Sequence, residues 1–168
     1  MADEILGIDA SGYEVLTKAV SELLNRFPGL DGRVVSFEEL GDTYGIAFSA
    51  DSGALILNEQ EDILGNVKQR CSFPFIVVYR SASTRASQKL YIQTFLDSLG
   101  KWVCGEPAVV DDVEYRLLAF PELTDGREIK KITRQNSYGA EPTEKGIQDW
   151  LMPVVVEYEN NFTRVIGD

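Results

Sequence analysis

The chain reads as an α+β domain, a mainly antiparallel sheet with two main helices packed on one face. Three features of its 168 residues predict this. Two segments carry a mostly apolar stripe at helical spacing: Tyr13, Leu16, Val20, Leu23, Leu24 and Phe27, then Ile92, Phe95, Leu96, Leu99 and Trp102/Val103, with Gln88 opening the second stripe. Two longer segments, Asn66–Arg80 and Asp149–Glu159, alternate with the period of a strand. The rest breaks into short strand candidates divided by Gly- and Pro-bearing turns, with no repeat and no linker, so one domain over 1–168 is expected.

In chain order, residues 1–10 read as a loose acidic arm. Ser11 with Glu14 has capping-box spacing and opens a helix from about Gly12 to Phe27, which Pro28-Gly29 and Asp31-Gly32 stop. Arg33–Phe37 and Tyr44–Ser49 are strand candidates; Asp51-Ser52-Gly53 is a turn signal, and Ala54–Leu57 is its returning strand. Asn58–Gly65 is acidic and reads as a surface loop. In the long strand after it, Val67, Cys71, Phe73, Phe75, Val77 and Tyr79 share one face, with Ile76 and Val78 on the other. Apolar residues on both faces predict a central strand, and Pro74, which lacks an N–H, predicts a bulge or a change of pairing. Ser81–Thr84 offer N-caps for the second helix, which Gly105-Glu106-Pro107 ends. Val113–Phe120 reads as a strand closed by Pro121, and Glu128–Tyr138 with Asp149–Glu159 as a hairpin through Gly139–Gly146. Pro153 hints at an edge or bulged strand, and 160–168 read as a tail carrying Phe162 and Val165.

Composition narrows the chemistry. The 27 acidic residues against 16 basic ones give a formal net charge of −11, which repels phosphate backbones and argues against nucleic-acid recognition. No run is apolar enough to span a bilayer, and Met1-Ala2-Asp3-Glu4 is acidic where a signal peptide would be basic, so folding in a cytoplasm is expected. Histidine is absent, which removes Ser-His-Asp and Cys-His mechanisms and the usual zinc sites. Cys71 and Cys104 read as free thiols.

The remaining candidates each have a plainer reading. Glu59, Glu61 and Asp62 lack the spacing of a calcium loop and read as a solvated turn. Asp111-Asp112 reads as a turn. Ser81–Arg85 could hold an anion at a helix N-terminus, although capping explains it. No Gly-rich phosphate loop is present, so no cofactor, metal or catalytic residue is assigned. Lys130, Lys131 and Arg134 form the one basic patch; it is either a solvated strand face or a contact for an acidic partner, a second copy included. Trp102 and Trp150 read as core.

The order of elements resembles a known family. A capped helix, a strand pair and a long strand ending Phe75-Ile76-Val77-Val78-Tyr79-Arg80 come first. A helix with Phe95–Trp102, a Phe120-Pro121-Glu122-Leu123 turn, and a hairpin closing on Asp149-Trp150 and Val156-Glu157-Tyr158 follow. This is similar to the tail terminator (tail completion) proteins of long-tailed phages, often called minor capsid proteins in prophages, over about residues 10–162. The resemblance rests on aromatics and element order and on no chemical motif. It implies a ring, usually a hexamer, that caps the tail tube and joins it to the head connector. Expected partners are therefore other copies of the chain, the tail tube protein and the head–tail connector protein, in the head-proximal tail of a virion. A catalytic role is not expected. The acidic surface and unclaimed apolar tail suit self-assembly, and Glu59, Glu61, Asp62, Lys130, Lys131, Arg134 and Phe162 are the interface candidates. The alternatives are a head-completion or connector protein and, from another class, a small carboxylate-using enzyme or ligand-binding domain.

Overall fold

The computed structural model describes residues 4–165. The fold is α+β, with two helices and a mostly antiparallel sheet. Its centre is a pair of 16-residue strands, β5 (Asn66–Ser81) and β10 (Gln148–Thr163), antiparallel over their whole length from Asn66↔Thr163 to Ser81↔Gln148. One side of β5 is flanked first by β3 (Gly45–Ala50) and then by β4 (Leu55–Glu61). One side of β10 is flanked by β8 (Arg127–Arg134) and then by the short β9 (Tyr138–Gly139). β1 (Gly7–Ile8) adds to β4, and β2 (Val35–Phe37) adds to β3 as the one parallel pair.

The two prolines explain this division. In a strand, a residue's N–H and C=O point to the same side. The Pro74 carbonyl accepts a bond from Asp51 N at 2.9 Å, so its missing donor faces the junction between β3 and β4. The Pro153 carbonyl accepts from Gln135 N at 2.9 Å, so its missing donor faces the junction between β8 and β9. Each long strand thus changes neighbours where it cannot donate. Pro153 does not mark an edge: β10 is central. Nor does Ala54–Leu57 return along Tyr44–Ser49. β3 and β4 run in the same direction, end to end along β5, and Asp51–Gly53 is a step between them.

Helix α1 (Ala10–Asn25) and helix α2 (Ala86–Val103) lie on one face of this sheet. Their stripes, Leu16, Val20, Leu23 and Leu24 on α1 and Ile92, Phe95, Leu96 and Leu99 on α2, meet the inward residues of β5 and β10 in one core. Tyr13 alone of the predicted first stripe is half exposed. Trp102 and Trp150 are buried there, as expected. A 3-10 turn (Pro28–Leu30) ends α1, and Asp31 takes φ 52 after it.

Several expectations are corrected. The arm is held where it is described: Gly7 and Ile8 pair with Ile56 and Leu55, and Asp9 is buried, while residues 1–3 lie outside the described residues. Asp9, not Ser11, caps α1 by accepting from Gly12 N at 3.1 Å. α2 has no side-chain cap; Ser81 and Ser83 instead accept from Ser83 N and Arg85 N in tight turns that precede it. The segment 113–120 is strand only at β7 (Val113–Tyr115), which pairs with β6 (Ala108–Val110) in a separate hairpin. Its turn is Asp111-Asp112, φ 49 and 64, the two-residue geometry that matches strand twist. Asn58–Glu61 are strand, paired with Arg70–Val67, and only 62–65 turn. The tail to Thr163 is likewise strand, while 166–168 lie outside the described residues. At this end β4, β5 and β10 extend together, closed by the Asp62–Gly65 turn.

Candidate assembly surface

Cross-strand partners share a face, so the register sorts every strand residue. The helix-facing set is the core. The opposite face is covered by no helix among the described residues, and none of its side chains belongs to the core cluster. Its centre is apolar: Ala47, Ile76, Val78, Leu151, Pro153 and Val155. All of these except Ala47 are only partly buried. Its charges are five basic residues (Lys68, Arg70, Arg80, Lys130, Lys131) and four acidic ones (Glu128, Asp149, Glu157, Glu159). That leaves the face at +1 on a chain of −11. The excess acid lies in the loops, turns and termini, and the two helices together sum to zero, so the sheet face is one of the surfaces that carries little of the chain's negative charge.

The interface candidates fall in three places. Lys130 and Lys131 sit on this open face because β8 bulges opposite Glu157/Tyr158, which turns both outward. Lys130 pairs with Glu128 at 3.2 Å and Glu159 at 3.7 Å; Lys131 is exposed, with no ion pair among the described residues. Arg134 does not belong with them. It points to the helix side and binds Asp97 of α2 at 3.0 Å, so the basic patch is two lysines. Glu59 and Glu61 lie on the helix side of the strand extension, where Arg164 reaches both, at 3.6 and 3.3 Å, and lies over the Phe162 ring. Asp62 builds the hairpin turn, accepting from Leu64 N, Asn66 N and Asn66 Nδ2 at 2.9 Å each. That turn lifts two aliphatic side chains into water: Ile63 is fully exposed and Leu64 is 76 % exposed. Sequence reasoning passed over this pair because it sat inside an acidic run.

The most buried polar cluster joins distant parts of the chain. Arg127 grips the Asp9 carboxylate with two bonds, 2.6 and 2.9 Å, and donates to Ser11 Oγ at 2.9 Å. Tyr158 Oη donates to Asp9 at 2.7 Å. Burial opposes the Asp9 charge, but the bonds from Arg127 and Tyr158 outweigh it and hold the carboxyl below its ordinary range. Arg127 also lies 4.0 Å from the exposed Asp125, and the cluster ties the N-terminal turn to β8 and β10.

Cys71 and Cys104 are free. Burial, with the Asp9 charge second, pushes the Cys71 thiol up to about 11. A thiol reagent at pH 8 should therefore leave Cys71 unlabelled in the native protein and label it on unfolding. Native labelling at the rate of a free thiol would contradict its placement.

One cleft with carboxylates, about 440 Å³ and lined by Glu14, Glu22, Glu122 and Asp125, lies between α1 and residues 122–125. Another, of about 330 Å³, lies between α2, the 3-10 turn and β6. Phe27, Tyr91, Phe95 and Val110 line it, and Asp31 and Asp111 stand exposed on turns at its rim. Among the described residues no group of three Cys, Asp or Glu side chains is placed to hold a metal ion. No described helix is long and apolar enough to cross a membrane. No family model matches the chain, and no curated protein matches its sequence.

Proposed function

We propose that this protein is a structural component of a long-tailed phage particle, a tail terminator whose copies form a ring, usually a hexamer in that family, on the head-proximal end of the tail tube. Its partners in this reading are further copies of itself, the tail tube protein and the head–tail connector protein. The observation that carries the reading is the bare face of the sheet. Helices cover one side, and the other keeps an apolar centre and a slightly positive charge on a strongly acidic chain. Apolar patches of this kind mark protein contacts. The element order supports the choice of family, and the chemistry of the chain offers contacts in preference to a reaction centre.

Deleting the gene from the phage that carries it tests this. Tails of irregular length that fail to join heads are expected. Normal tails joined to heads would overturn it. Normal-length tails left unjoined beside heads that leak DNA would favour a head-completion protein.

A further inference from the structure

Resting on that self-assembly reading, we infer that the Ile63–Leu64 hairpin tip of one copy seats on the bare sheet face of the next. The two surfaces are among the chain's exposed apolar features, and they match in shape and charge. The tip offers two adjacent aliphatic side chains on a turn made rigid by Asp62 and by Gly65, whose φ of +85 and contact with Arg164 O leave no room for a side chain. The face offers a shallow apolar strip, Ile76, Val78, Leu151 and Val155, with Thr133 and Lys131 beside it on β8.

The charges have opposite sign. Glu59, Glu61 and Asp62 around the tip exceed Arg164, whereas the face, with Lys68 counted on it, carries a surplus of one positive charge and has Lys131 unpaired among the described residues. The tip cannot reach its own face. It adjoins Asn66, and Ile76 lies ten residues further along the same extended strand, about 33 Å away. The contact must therefore join two molecules through different patches. An interface of this type closes into a ring or runs on as a filament, unless two copies exchange tips reciprocally about a two-fold axis.

Two variants with the Cys104→Ser background test the geometry. Leu64→Cys protein mixed with Thr133→Cys protein should form an interchain disulfide under mild oxidation, and neither variant alone should do so at the same concentration. In sedimentation, Leu64→Asp should weaken self-association by about 30-fold or more. The position is exposed, so its melting temperature should match wild type. If wild type assembles and Leu64→Asp assembles equally well, the tip is not the contact, while the self-assembly reading stands. If wild type stays monomeric at every concentration and the mixed cysteines never link, both fail. A monomeric wild type that floats with phosphatidylcholine vesicles through Leu64 would mean that the tip meets lipid and not a second copy.

Discussion

Asp9→Ala should destabilise the protein by about 3–5 kcal/mol, because it leaves the Arg127 guanidinium buried without its partner. Both side chains are nearly closed to solvent, and the same carboxylate caps α1 and accepts from Tyr158. Removing it therefore leaves three donors unsatisfied at once. For a chain of this size the melting temperature should fall by about 10 °C. Adding Arg127→Met to Asp9→Ala should recover part of the loss, since the stranded charge goes with it. The pH dependence has a definite sign. The folded carboxyl is held below its ordinary value, so its contribution is complete above the unfolded pKa of about 4 and is lost as pH falls through the folded value. The gap between wild type and Asp9→Ala should be level at neutral pH and shrink below about pH 4. An Asp9→Ala protein as stable as wild type at pH 7 would show that the cluster does not hold the N-terminal turn.

Phe95→Ala should cost a similar amount, about 3–5 kcal/mol, by opening a cavity where α2 meets the sheet. The ring sits edge-on to Phe27 at 5.7 Å and Tyr79 at 5.5 Å, and the Arg33 guanidinium lies 4.6 Å from its centre. Arg33 in turn donates to Tyr79 and Tyr91 at 2.9 and 2.7 Å, so the ring also shapes a polar cluster at the core's rim. Chemical denaturation measures the loss, and a value under about 1 kcal/mol would contradict the packing of α2, given the usual cost of deleting a buried ring.

Much of this fold was legible because periodicity is local. Leu16, Val20 and Leu23, or Phe73, Phe75 and Val77, declare their faces within a few residues. What stayed hidden depends on distant partners. Nothing near Asp9 announces a buried ion pair whose other half lies 118 residues on, and Ser11 with Glu14 offered a competing cap. Ser11 instead accepts from Arg127, and Glu14 pairs with Lys18 on the exposed side. The basic run misled for a related reason. A bulge shifts the strand's phase between Ile129 and Lys131, so both lysines face outward while Arg134 turns to Asp97. Counting by twos cannot reveal a bulge. Asn58–Glu61 looked like a loop because they are polar on both sides. They form strand because β5 and β10 run past the core and carry them along. The bare face itself was half visible: Ile76 and Val78 marked β5 as apolar on both sides, which predicted a central strand without naming a layer over the outer face. No helix supplies that layer among the described residues, and this is the feature from which the assembly reading follows.

The most direct test is to locate the protein in the particle. If the proposed function holds, purified virions of a phage carrying this gene, labelled with gold-tagged antibody against this chain, should carry label at the junction of head and tail. Complete particles free of label, with the protein found only in the lysate, would contradict the account.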